Sequence, residues 1–166
     1  MNSELKIRYA EIKDASEIAE IYNDAILNST ATCDTEIKTA ENRLEWLNVH
    51  SKKYPVLVCE INSKVIGYAS MSKWSERYAY EDTAEISIYI HKEFRDNGIG
   101  KILFQKVIEA GKLGGLHCIL SRITHGNEKS IHLHKKFGFT YVGVMKEVAF
   151  KFGNRIDVHI MQLLFK

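Results

Sequence analysis

Alternation of apolar and polar positions is clearest between residues 84 and 101, where Ile86, Ile88 and Ile90 fall on one face of an extended segment and Ser87 and Tyr89 on the other. The segment runs through a short charged turn into Arg95-Asp96-Asn97-Gly98-Ile99-Gly100. A helical pattern bearing Ile102, Leu103, Val107 and Ile108 follows and ends near Gly114-Gly115. The order is strand, glycine loop, helix. Toward the N-terminus, Leu5 to Tyr9 reads as a strand, and Asp14 caps a helix that carries Ile18, Ile21, Tyr22, Ala25 and Ile26 and ends near Asn28. Residues 29–38 show no period and read as a loop. Thr39, with Asn42 three positions on, opens a second helix burying Leu44, Trp46 or Leu47, and Tyr54-Pro55 stops it. Residues 56–61 and 64–71, joined by Asn62-Ser63, read as a hairpin, and residues 73–83 as a polar and aromatic loop. Cys118 to Thr124 is a further strand, and Asn127 caps a helix bearing Ile131, Leu133 and Phe137 that Gly138 ends. Tyr141 to Phe152 and Arg155 to Leu164 form a last hairpin turning at Gly153-Asn154. The order β α α β β β α β α β β predicts an α/β (α+β) fold with a single mixed central sheet and helices on both faces.

Composition narrows the class. The chain has 166 residues, 45% hydrophobic and 27% charged, the size of one globular domain over residues 1–166. The formal net charge is +2 with acids and bases interspersed, so neither a nucleic-acid stripe nor a membrane-binding basic tail is expected. The N-terminal residues show no signal-peptide apolar run, which points to a cytoplasmic protein. Cys33, Cys59 and Cys118 are widely spaced and read as reduced thiols.

The glycine loop is the first candidate for chemistry. Backbone N–H groups at a helix start lack intrahelical partners and lie at the positive end of the helix dipole, so a loop with Gly98 and Gly100 can cradle phosphate oxygens; a plain turn is the alternative. The loop lacks the third glycine of the dinucleotide fingerprint and the Gly-Lys-Ser/Thr ending of the P-loop. Its form, Arg-x-x-Gly-x-Gly, resembles the acetyl-CoA loop of the GNAT acetyltransferase superfamily. The preceding strand, the later Asn127-Glu128-Lys129-Ser130 and the helix ending in Phe137-Gly138-Phe139 support that match. Residues 21–25, 54–58, 67–70, 83–85, 127–139 with His134, and 151–153 with Asp157, Met161 and Gln162 resemble the phosphinothricin and methionine sulfoximine acetyltransferases within it.

This resemblance implies a GNAT fold and transfer of an acetyl group from acetyl-CoA to the α-amino group of a small amino-acid-like substrate. It implies Glu85 as the base, working through water or with a raised pKa, against the alternative of an exposed strand-end glutamate. It implies His134 as the donor of a proton to the leaving thiolate near neutral pH. The backbone of Ile88, Tyr89 and Ile90 would pair with the pantetheine amides as an added strand does. Arg95, Asp96, Asn97, Gly98, Ile99, Gly100 and Lys101 would hold the pyrophosphate, and Asn127 the pantetheine arm. In the 73–83 loop, Arg77 would bind the substrate carboxylate, with Trp74, Ser75 and Tyr80 around it, although the two aromatic residues could equally be core. Ser75 stands where many methionine sulfoximine enzymes have arginine, and Cys33 and Arg155 where several relatives have tryptophan. No metal is expected, because His132 and His134 are two apart on a helix and point to nearly opposite faces. Many relatives are homodimers. Two competing functions are acetylation of a protein or peptide amine, which prefers an open groove, and acyl-CoA sensing without catalysis.

Overall fold

The computed structural model describes residues 4–166. The elements in order are β1 (Leu5–Tyr9), α1 (Ala15–Asn28), α2 (Ala40–Asn48), β2 (Val56–Ile61), β3 (Lys64–Lys73), β4 (Thr83–Ile90), α3 (Ile99–Leu113), β5 (Cys118–Thr124), α4 (Glu128–Lys136), β6 (Thr140–Lys151) and β7 (Asn154–Leu164), with short 3-10 turns at Ile12–Asp14, Tyr78–Tyr80 and Lys92–Phe94. The strands form one seven-stranded sheet in the order β1-β2-β3-β4-β5-β7-β6. Only β4 and β5 are parallel, joined by the crossover through α3; every other pair is antiparallel.

Strand alternation divides the core into two layers. Val56 and Val58 of β2, with Val65 and Tyr68 of β3, pack against Ile18 and Ile21 of α1 and the partly buried Trp46 and Leu47 of α2. Leu57 and Cys59, one residue out of step with them, lie on the opposite face with Ile66, Ala69 and Met71, against Leu103, Phe104 and Val107 of α3. Helices therefore cover both faces, as the element order predicts. Phe104 is fully buried and packs edge-on against His134 and obliquely against Phe137 and Phe139, so truncating it to alanine would cost about 3–5 kcal/mol.

Several local expectations change. Asp14 occupies the N-cap of α1, but its carboxylate turns back to accept from the Glu11 backbone N–H at 2.8 Å and from Arg8 at 2.7 and 2.9 Å. Thr39 does cap α2, its hydroxyl accepting from Asn42 N–H at 3.1 Å. The residue of α2 that is most deeply buried is Arg43, while Leu44, Trp46 and Leu47 remain half-buried. In α3, Ile102 points outward at 46% exposure, and Ile99 and Phe104 take the core positions instead. The last hairpin turns at Phe152-Gly153, both at positive φ, one residue earlier than expected, because Lys151 pairs with Asn154. The Asn62-Ser63 turn has the two left-handed residues of a tight hairpin.

Candidate active site

The α1/α2 face of the sheet holds a cavity of about 620 Å³. Register explains its floor. Tyr68 faces Tyr89, Ser70 faces Ser87 and Ser72 faces Glu85 across the β3–β4 pair, and these three rows all line the cavity. Tyr22, Arg43 and Trp46 wall one side, residues 31–34 cover it, and Arg122 and Thr124 of β5 complete the far side. Met145, Val148 and Ala149 also reach it from β6, whose register with β7 shifts between Met145 and Ala149; Glu147 within that shift takes a positive φ. A bulge of this kind bends an edge strand and re-aims its side chains.

The loop over the cavity is pinned by side chains from distant elements. The Tyr22 hydroxyl donates to Asp34 at 2.8 Å and accepts from Thr32 at 2.9 Å, and burial pushes its pKa up to about 12. Thr124 donates to the Thr30 carbonyl at 2.7 Å, and the buried Lys151 ammonium donates to the Thr32 carbonyl at 2.8 Å. Burial pushes the Lys151 pKa down, as removal of an ammonium from water requires.

Glu85 lies where β4 and β5 make their last pair, opposite Leu120. Its two carboxylate oxygens accept from Nε and Nη2 of Arg122 at 2.7 and 2.6 Å, a bidentate pair, and this bond raises the Arg122 pKa above its usual value. The Arg122 guanidinium also lies 5.8 Å from the Trp74 ring centroid.

Beyond Glu85 the two parallel strands diverge. Residues 86–90 keep their partners on β3 but have no strand on the other side, while β5 continues beside β7 alone. A second cavity of about 60 Å³ opens in this gap, lined by Ile86 to Tyr89, Ser121 to Thr124, Phe104, Asn127, Ser130 and His134. A main-chain edge flanked by such a gap suits an extended ligand carrying amides, which would pair as another strand does. At the open end, Gly98 takes the left-handed conformation at φ 76° as N-cap of α3, with open space where a side chain would begin. The N–H groups of Gly98, Ile99 and Gly100 have no acceptor among the described residues, the arrangement an anionic group needs. Arg95 is already engaged, Nε donating to the Ile90 carbonyl at 2.9 Å and Nη2 to Asp24 at 2.7 Å. Asp96 is paired with Lys129 at 2.7 Å, and Lys101 is exposed. Asn127 caps α4 by accepting from Ser130 N–H at 3.3 Å while lining the small cavity.

His134 is 3% exposed, whereas His132 faces solvent. Its Nδ1 lies 2.7 Å from the Ser130 carbonyl, which can only accept, so Nδ1 carries the hydrogen and Nε2 presents a lone pair. That Nε2 is the one sealed side-chain polar atom without a partner among the described residues. Burial lowers the pKa to about 4. In this tautomer Nε2 carries no proton to give, an arrangement that differs from the thiolate donor expected from the sequence.

The acceptor residues expected in the 73–83 loop are not brought into the cavity lining. The 3-10 turn at Tyr78–Tyr80 carries Arg77 and Tyr80 outward, both exposed, and the Arg77 N–H donates to Ser75 Oγ at 3.2 Å. Trp74 and Ser75 are half-buried, and Trp74 approaches the site only through Arg122. Arg43, Arg122 and Tyr68 carry no role in the reading of the sequence, and Tyr89 carries one only through its backbone. Arg122 could have been singled out, as a charged residue alternating with Ser121 and Ile123 in an apolar strand.

The described residues hold no group of three or more His, Cys, Asp or Glu side chains positioned for a metal ion. Comparisons with known proteins agree with the geometry. Residues 7–160 match the family model of the acetyltransferase (GNAT) domain. The chain is 36% identical over 160 residues to the L-amino acid N-acyltransferase MnaT of Escherichia coli, covering 96% of this chain and 93% of that one. It is also 36% identical over 160 residues to the L-methionine sulfoximine/L-methionine sulfone acetyltransferase of Salmonella typhimurium, covering 96% and 94%. The solved phosphinothricin acetyltransferase of Sinorhizobium meliloti in complex with AcCoA superposes with a TM-score of 0.90 at 33% identity, covering 96% of this chain and 88% of that one. A mixed sheet that parts beside Glu85, a helix-start anion cradle at Gly98 and a family match across most of the length lead to one assignment: the chain belongs to the GNAT acetyltransferase family and is an N-acetyltransferase.

Proposed function

We propose that the protein transfers the acetyl group of acetyl-CoA to the α-amino group of a small amino-acid-like acceptor. The observation that carries this reading is the meeting of the two cavities. Ser87, Tyr89, Arg122 and Thr124 are common to both linings, so the gap along β4 adjoins the cavity that holds Glu85. The pantetheine arm would lie in the gap beside Ile88, Tyr89 and Ile90, with Asn127 alongside, and the pyrophosphate on the free N–H groups from Gly98 to Gly100. Lys101 adds an exposed positive charge; Arg95 contributes less, because Asp24 already neutralises it.

In this scheme the acceptor ammonium gives a proton to Glu85, directly or through water, and the amine attacks the thioester carbonyl. The amide bond forms, the carbon–sulfur bond breaks, and the second proton shed by the attacking nitrogen passes through solvent to the leaving thiolate. Arg122 holds Glu85 by both oxygens and so fixes the direction in which the base faces. His134 lines the gap as an acceptor. The relatives' names, MnaT and the methionine sulfoximine enzyme among them, point to amino-acid-like acceptors. A cavity of about 620 Å³ has room for a small acceptor of that kind. As part of the same reading, the protein works as a homodimer joined at edge strand β6, which exposes Val142, Val148 and Phe150. Sedimentation of the purified protein at micromolar concentration is expected to give a dimer, and a monomer would contradict that part.

A panel of amines with detection of free CoA tests the reading. Phosphinothricin, methionine sulfoximine and methionine sulfone are expected to release CoA far faster than lysine-containing peptides. Release with peptides alone would move the assignment to protein acetylation, and release with no amine would leave an acyl-CoA sensor.

A further inference from the structure

Three cations line the large cavity: Lys73, Arg43 and Arg122. Lys73 is paired with Glu76 at 3.1 Å, and Arg122 with Glu85. Arg43 has no carboxylate within salt-bridge distance among the described residues, although it is only 8% exposed. Its guanidinium carbon lies 5.1 Å from the Tyr22 ring centroid and 5.0 Å from that of Trp46, so two aromatic rings hold the plane in place. Nε and Nη2 both donate to Asn42 Oδ1, at 3.2 and 2.8 Å. Nη1 donates to nothing within the protein, yet it is not a sealed atom, so it opens onto the cavity that Arg43 lines. Asp34, which also lines the cavity, is occupied by the Tyr22 hydroxyl and by Lys38.

A guanidinium withdrawn from water with no counterion and unused donors is costly in the empty protein and selective for an anion. We infer that Arg43 forms a subsite for an acidic or strongly accepting oxygen at the far end of the acceptor's side chain. This rests on the transferase reading above, because the acceptor's amine must sit at Glu85. The sheet then sets the spacing. Trp46 packs edge-on against Tyr68 at 6.0 Å and Tyr22 against Tyr89 at 5.0 Å, so Arg43 lies over the Tyr68–Tyr89 row. That row is two steps along the strand from the Ser72–Glu85 row, a Cα separation of about 13 Å. The α-carboxylate, one carbon from the amine, falls well short of Arg43. A phosphinate, carboxylate or sulfone oxygen at the end of an extended side chain spans much more of the distance, over a floor of Ser70 and Ser87.

The test compares acceptors that differ at that end, phosphinothricin against methionine, in the wild type and in Arg43→Met and Arg43→Gln. Hydrogen bonds to a charged partner support a loss of about 10- to 100-fold in kcat/KM for phosphinothricin on either substitution, with methionine changed by less than about two-fold. A purely structural role for Arg43 predicts equal losses on both, and equal losses overturn the inference. So does a wild type that prefers methionine. Calorimetric binding of phosphinothricin to the CoA-bound protein reads the subsite without turnover. Affinity that falls by a similar factor in whichever variant retains the wild-type circular dichroism supports the subsite, and unchanged affinity overturns it. Failure of every amine to release CoA would instead remove the transferase reading, and the binding measurement would still decide the role of Arg43.

Discussion

The gap beside β4 is edged by main chain, whereas the cavity over the other face of the same strand is built from side chains drawn from Tyr22 through Val158. Both regions share Ser87 and Tyr89, one strand thick, yet they obey different rules. In the proposed cofactor gap the ligand would meet N–H and C=O groups that any sequence supplies, provided the strands part and Gly98 turns the chain at φ 76°. In the proposed acceptor cavity each partner would be a particular side chain, placed there by contacts far away in sequence. A backbone site can therefore be kept through much substitution, while the cavity opposite is free to change its acceptor.

The largest expected effect separates the chemistry from both regions. Glu85→Gln removes the proposed base and keeps the shape, so kcat should fall by about 10²- to 10⁴-fold while acetyl-CoA affinity, measured by calorimetry, stays within about two-fold. Equal losses in both would place Glu85 in the cofactor site instead. Next in size, Gly98→Val imposes a branched side chain on a left-handed residue and crowds the cradle. Acetyl-CoA should bind at least about ten-fold more weakly, while the acceptor KM measured at saturating acetyl-CoA is unchanged. Unaltered cofactor affinity would dissolve the contrast drawn above.

A smaller effect concerns His134. Its pKa is about 4 when folded, below the ordinary value of 6.5, so between these limits the unfolded chain binds the extra proton. Its neutral burial therefore stabilises the fold fully above about pH 6.5, and that contribution is lost as pH falls toward 4. The loss amounts to about 3 kcal/mol. His134→Phe should flatten the decline in urea midpoint across that window, and nitrogen NMR of the wild type should show Nδ1–H with no titration from pH 8 to 5.5. Titration near 6.5 would restore the donor role expected from sequence.

The same contrast explains what could be read without coordinates. Element order, the Gly98 turn and the Asn127 cap follow from local periodicity and turn chemistry, and all are found in place, whereas the parting of β4 from β5 shows only in the pairing of the strands. Glu85 was legible as a strand residue at the right end, but its partner Arg122 was not, since the pair joins residues 37 apart in sequence. Arg43 was hidden because an arginine on an amphipathic helix is ordinarily surface, and only the Tyr22 and Trp46 rings make it interior. Arg77 is the opposite case: it has suitable chemistry in a suitable loop, but it is exposed beside a 3-10 turn and stands outside the cavity lining. The protonation of His134 depended on one carbonyl, that of Ser130, which no pattern of side chains displays.

The most direct measurement is a crystal structure of the protein with acetyl-CoA. The account predicts density for the diphosphate on the N–H groups of Gly98 to Gly100, the pantetheine chain between β4 and β5, and the thioester at the junction of the two cavities beside Glu85. Density for the carrier at any other place on the molecule would contradict it.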